Sequence, residues 1–125
     1  MRAPVTSPTA SAVGPYSHGI DTGEVVYCSG QTPIDPQTGR LAAGDVAART
    51  DQCLDNLFDV LAAASLAPDD VIKVNVYLTD MGDFEAMNRA YAARFAEPYP
   101  ARTTIGVASL PLGSDIEIEL VARRH

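Results

Sequence analysis

The stretch "DIEIELVA", residues 115–122, alternates branched aliphatic residues with glutamate. Successive side chains of an extended strand point to opposite faces. Ile116, Ile118 and Leu120 therefore share one face, and Glu117, Glu119 and Val121 the other. A strand of this kind belongs to a sheet that is covered on one side only. "VIKVNVYLTD", residues 71–80, alternates in the same way, with Ile72, Val74, Val76 and Leu78 expected on the covered face and Val71, Lys73, Asn75 and Tyr77 opposite. "TGEVVYCSGQ" and "RTTIGVASL" read as two more strands.

Between the strands the period changes. From Asp45 onward Val46, Thr50, Cys53, Leu57, Leu61 and Ala64 recur at three- and four-residue spacing, which predicts a helix with Asp45 as its N-cap. A second helix is expected from about Asp83 to Phe95, with Phe84, Met87, Tyr91 and Phe95 as its apolar stripe and Asn88 on the margin. Pro98 and Pro100 close it. The order strands, helix, strand, helix, two strands makes an α+β fold with two helices on one face of a mixed sheet. The other face, with Lys73, Asn75, Tyr77, Glu117, Glu119 and Val121, is too polar for a core, yet its aromatic and apolar groups gain from burial. A self-associating subunit satisfies both demands, leaving polar residues in crevices between copies.

At 125 residues the chain reads as a single domain, 1–125, with about two thirds of its unfolded surface buried around one core. Its net charge is −7; the cations are eight arginines and Lys73, and the only basic run is Arg123-Arg124. That balance argues against nucleic acid, whose binding needs a basic patch. No segment has the apolar length to span a membrane, the first 19 residues lack the apolar core of a signal peptide, and a cytoplasmic protein is expected. Cys28 and Cys53 fall in segments that look buried and read as reduced core thiols.

Arg102, in "YPARTTIGVASLP", is a permanent cation at the mouth of a strand. Its planar guanidinium matches a carboxylate in two parallel hydrogen bonds, and the neighbouring prolines stiffen its approach; a surface ion pair is the structural alternative. Glu117 and Glu119 both lie on the polar strand face. Either, if enclosed near a cation, can act as a base or orient a water, and alternation does not choose between them. In "GPYSHG", Tyr16 presents a ring and a hydroxyl, and His18 reads as an exposed structural loop residue without the partners of a metal or nucleophile site. In "SGQ", Gly30 allows a ligand close to the backbone, or simply a turn.

These segments fall in one order: "GPYSHG", "VYCSGQTPIDPQTG", "CLDNLFDVLAAASLAPDDVIKVNVYLTD", "DFEAMNRAYAARF", "PARTT" and "IEIELVA". Together they resemble the YjgF/RidA family of small enamine and imine deaminases along essentially the whole chain. The resemblance implies a chorismate-mutase-like fold: a mixed six-stranded sheet, two helices on one face, and a homotrimer with three sites between subunits. It implies that Arg102 grips the carboxylate of a small 2-imino or 2-enamino acid and that Glu117 positions or activates the hydrolytic water. It places Tyr16, Gly30 and Asn88 along the cleft from one subunit, with the arginine supplied by another. Thr104 stands where well-studied members carry cysteine, which bears on substrate preference, and the loop before "PAR", which shapes the mouth of the cleft, is shorter here.

The reaction so implied is hydrolysis of a reactive imine, such as 2-iminopropionate or its tautomer 2-aminoacrylate, to a 2-keto acid and ammonia, with no cofactor and no metal. A non-catalytic trimer that binds small carboxylates or acts as a chaperone, and a pathway-specific enamine deaminase, are the alternatives. Ribonuclease activity is disfavoured by the acidic balance.

Overall fold

The computed structural model describes residues 2–8 and 14–125. Its elements are β1 (Ala3–Val5), β2 (Gly19–Asp21), β3 (Val25–Gln31), β4 (Ile34–Asp35), β5 (Arg40–Leu41), α1 (Val46–Ala63), β6 (Val71–Leu78), α2 (Phe84–Ala92), β7 (Ala101–Gly106) and β8 (Ile116–Arg123). Six strands form one sheet in the order β1-β2-β3-β8-β6-β7, and β4 and β5 pair apart from it. All neighbours in the large sheet are antiparallel except β6 and β7, which are parallel. A parallel pair needs a crossover, and α2 supplies it.

Both helices pack on one face of the sheet, as the two apolar stripes require. In α1 the expected residues Val46, Thr50, Cys53, Leu57, Leu61 and Ala64 are all buried. Asp45 caps the helix, its Oδ1 accepting from the Ala48 N–H at 3.0 Å. Asp45→Ala removes that acceptor and is expected to cost about 1 kcal/mol, read as a lower urea midpoint with an unchanged slope.

Two expectations shift on folding. The second helix stops at Ala92, not Phe95. Phe95 still reaches the core from the following turn, its ring 4.8 Å from Tyr91 and edge-on to Phe58 at 5.6 Å. In β6 the first two residues exchange faces: Val71 is buried and Ile72 is 46% exposed. The cause is a register slip. Val71 pairs with Ala122 and Lys73 with Val121, so β6 carries one extra residue there and the alternation inverts before it.

Leu54, Leu57, Leu61, Val74, Val76, Met87, Ile116 and Ile118 are fully buried in one cluster between helices and sheet. Cys28 and Cys53 lie within it as free thiols. Burial pushes the Cys28 thiol up to about 12 and raises that of Cys53 well above its ordinary value. Since the thiolate is the reactive form, both cysteines should stay silent to an aromatic disulfide reagent at pH 8 and react together once the chain is unfolded.

The uncovered face keeps Glu117, Glu119, Asn75 and Tyr77 half-buried, with Tyr27 and Ile105 exposed beside them. Among the described residues no helix is long and apolar enough to cross a membrane.

Candidate active site

Arg102 lies on β7 beside Val74 of β6, and its side chain falls on the helix face of the sheet. There α2 receives it. Nη2 donates to Asn88 Oδ1 at 2.6 Å, Nη1 approaches Met87 Sδ at 4.0 Å, and the guanidinium carbon lies 4.7 Å from the Tyr91 ring centroid and 5.8 Å from that of Phe84. A neutral amide and two π faces hold the cation in place without neutralising it. Arg49, Arg94 and Arg124 each hold aspartate in an ion pair. Arg102 has no such partner among the described residues. It borders a cavity of about 340 Å³ lined also by Asn88, Tyr91, Tyr99 and Pro100. A charged, oriented fork beside an open cavity has the geometry and charge to pair with a carboxylate.

Glu117 lies elsewhere. It pairs with Tyr77 on β6 and so projects from the opposite face of the sheet. Burial, then the charge of Glu119, raises its carboxyl above the usual glutamate range. Gly30 makes room for it: a Cβ at position 30 would lie 3.0 Å from the carboxyl carbon and from Oε2 of Glu117. Tyr16, Gly30, Gln31, Thr32, Ile34, Pro111 and Glu117 together enclose a cavity of about 30 Å³. Glu119, by contrast, is engaged, accepting a short hydrogen bond from the Tyr77 hydroxyl and another from Asn75 Nδ2 at 3.3 Å. Among the described residues no side chain or amide donates to Glu117, so this carboxylate, rather than Glu119, is available to a ligand.

The walls of this second region are pinned from below. Cys53 donates to the Gln31 carbonyl at 3.2 Å, and Asn56 Nδ2 donates to the Ile34 carbonyl at 2.9 Å, so α1 fixes the chain as it leaves β3. Ser29 N donates to the His18 carbonyl at 2.9 Å, and Ser29 Oγ to the Ser17 carbonyl at 2.7 Å, which ties the Tyr16 loop to β3.

The candidate residues thus form two groups on opposite faces of one sheet: Tyr16, Gly30 and Glu117 in one, Arg102 and Asn88 in the other. Asn88 was expected across the cleft from the arginine; it is instead the arginine's own hydrogen-bond partner, because the α2 crossover lays its polar margin directly over β7. Thr104 follows Arg102 on the same face of β7, its Oγ1 buried without a partner among the described residues. His18 is structural as expected but buried, not exposed, its Nδ1 accepting from the Ser7 N–H at 3.1 Å.

Comparison with known proteins agrees with this fold. A family model described as Endoribonuclease L-PSP matches residues 6–124. The chain belongs to the YjgF/RidA family. Its YjgF/RidA relatives include the 2-iminobutanoate/2-iminopropanoate deaminase of Escherichia coli, 42% identical over 123 residues that cover 96% of this chain and 95% of that protein. A RutC family protein of Pyrococcus horikoshii is 46% identical over 113 residues, 90% of each chain. Among solved structures, the E. coli YjgF gene product matches with a TM-score of 0.93 and 40% identity over 98% of this chain and 99% of that one. E. coli TdcF with bound serine matches with a TM-score of 0.90 at 40% identity, covering 96% of each. YjgF/RidA relatives thus carry both deaminase and other names.

Sequence reasoning did not assign Tyr91, Tyr99 or Gln31 to a site. Tyr91 sits on an apolar helical stripe, and nothing local distinguishes it from core. Its role beside Arg102 depends on β7 lying under α2. Gln31 falls with Tyr27 and Ser29 by strict alternation, but the pairing of β3 with β8 slips between Cys28 and Gln31, and the slip turns Gln31 inward.

Proposed function

We propose that the chain is a cofactor-independent deaminase that hydrolyses small 2-imino or 2-enamino acids, with 2-iminopropionate as the model substrate, to the 2-keto acid and ammonia. The observation that carries this reading is Arg102, a buttressed guanidinium with no carboxylate partner among the described residues, open to a cavity sized for a small acid. The E. coli relative named 2-iminobutanoate/2-iminopropanoate deaminase supports the choice of substrate class.

The two groups of residues cannot meet within one chain, since the sheet separates them. A complete site needs Arg102, Asn88 and Thr104 of one copy facing Tyr16, Gly30 and Glu117 of another. The uncovered face, with Tyr27 53% and Ile105 45% exposed, offers the surface such an assembly would bury. A homotrimer with three sites between subunits meets these requirements. Two free, buried cysteines suit a reducing cytoplasm.

In the assembled site the substrate carboxylate pairs with Arg102, and a water held by Glu117 faces the imine carbon. The water oxygen bonds to that carbon while the C=N π pair moves to nitrogen and Glu117 takes the released proton. Glu117 returns that proton to nitrogen, giving the carbinolamine; the hydroxyl proton then passes by way of Glu117 to nitrogen as the C–N bond breaks and the C=O forms, leaving keto acid and ammonia. Imines hydrolyse unaided, so orientation and proton transfer suffice for useful acceleration.

The test is ammonia release from a panel of imino acids generated in situ by an amino-acid oxidase. Acceleration above the uncatalysed rate supports the reading; none across the panel overturns it. Binding of small carboxylates without turnover is the competing outcome, favoured by the TdcF structure with bound serine. The family model's description as an endoribonuclease finds little support in a chain of net charge −7.

A further inference from the structure

The deaminase reading gives the substrate carboxylate to Arg102 and the attacking water to Glu117, which leaves one polar group of the substrate without a partner. That group is the nitrogen. An imine N–H is a donor throughout the reaction, and enclosing it without an acceptor carries the cost of any unpaired buried polar group. Glu117 cannot serve, since its carboxylate is taken up with the water and the travelling proton.

The chain offers an acceptor one residue past β3. Gln31 pairs with Ile118 and is turned with it to the helix face, so the next residue, Thr32, falls opposite Glu117 on the uncovered face. Thr32 lines the cavity beside Glu117, where Gly30 has no side chain and Ile34 and Pro111 are apolar. Of the two hydroxyl residues there, Tyr16 is 43% exposed and Thr32 only 9%. The Thr32 hydroxyl bonds to nothing among the described residues, yet it is not sealed: the closed, unpartnered atoms include Gln31 Nε2 and Thr104 Oγ1, but not Thr32 Oγ1. Its backbone is held still. The Thr32 carbonyl accepts from the Ile34 N–H at 2.8 Å and from Asn56 Nδ2 at 3.4 Å, and Pro33 keeps the residue extended.

We infer that Thr32 is a further catalytic residue of this site, its hydroxyl oxygen accepting an N–H of the substrate imine and then of the departing amine. The inference rests on the deaminase reading for the reaction, but not for the recognition of a nitrogen beside a carboxylate. With one N–H held by Thr32, the lone pair that water attack leaves on nitrogen faces Glu117, which returns its proton there. Thr32 forms and breaks no covalent bond. It makes no contact with the substrate carboxylate, which belongs to Arg102.

The experiment compares wild type with Thr32→Val, which keeps the shape and removes the hydroxyl, and Thr32→Ser, which keeps the hydroxyl and removes a methyl. With iminopropionate generated in situ, kcat/KM should fall about 10-fold in Thr32→Val, the scale of one lost hydrogen bond, and stay within about threefold of wild type in Thr32→Ser. Calorimetric titration separates this role from packing, using L-alanine, which carries a nitrogen donor beside its carboxylate, and propionate, which does not. Alanine binding should weaken about 10-fold in Thr32→Val and recover in Thr32→Ser, with propionate binding unchanged in both. Wild-type kcat/KM in Thr32→Val overturns the inference, as do equal losses in the two variants or a parallel loss of propionate. If wild type accelerates no imino acid, the deaminase reading fails and the alanine titration decides alone. Weaker binding in Thr32→Val than in Thr32→Ser then upholds Thr32 as the acceptor for nitrogen, and equal or absent binding overturns it.

Discussion

Arg102→Ala is expected to lower kcat/KM for small imino acids by about two to three orders of magnitude, the scale on which removal of one partner of an enclosed, hydrogen-bonded charge pair is felt. Fold and assembly should survive, because the guanidinium closes no ion pair among the described residues and lies at the rim of the core, not inside it. Arg102→Lys should recover little. A lysine keeps the charge but loses the planar fork and cannot hold Asn88 and a carboxylate in the same geometry. The measurement is steady-state ammonia release alongside sedimentation of both variants. Turnover by Arg102→Ala equal to wild type would remove the arginine from the reaction, whatever the shape of its cavity.

Glu117→Gln is expected to reduce kcat by about two to four orders of magnitude, the range for loss of a positioned general base, while Glu119→Gln keeps most of it. The two carboxylates differ in what surrounds them. Glu119 is occupied by Tyr77 and Asn75, whereas Glu117 faces the small cavity. Their pH profiles should also separate. Burial first, and the charge of Glu119 second, raise the Glu117 carboxyl, so its basic form is lost at a higher pH than an ordinary glutamate's. Activity should accordingly decline on the acid side above the usual carboxylate range. Glu119→Gln removes the second cause, so Glu117 stays ionised to lower pH and the acid limb moves down. A limb that moves up in that variant, or equal losses for both substitutions, would assign the base to the wrong residue.

Much of this molecule is visible in its order of residues because periodicity is a local property. The face of β8 follows from residues 115–122 alone, and every member of the apolar series of α1 is buried where a 3.6-residue repeat puts it. Asp45 can be recognised as a cap since capping involves only the next three residues. The ordered motifs were enough to recognise the family, which the match over residues 6–124 bears out.

What the local pattern could not reveal arose where distant segments pair. Register slips between β6 and β8, and between β3 and β8, reverse the alternation, sending Val71 and Gln31 inward against the count along their own strands. The company of each polar residue was decided in the same way. Asn88 joins Arg102 only because a crossover helix lies on β7, and Glu117 parts from Arg102 only because the sheet stands between them. Sequence alone determined which residues alternate, cap and coil, since those preferences act over a few bonds. Tertiary structure decided which of them share a cavity, since hydrogen-bonded registers and layer order are set by contacts between segments far apart along the chain.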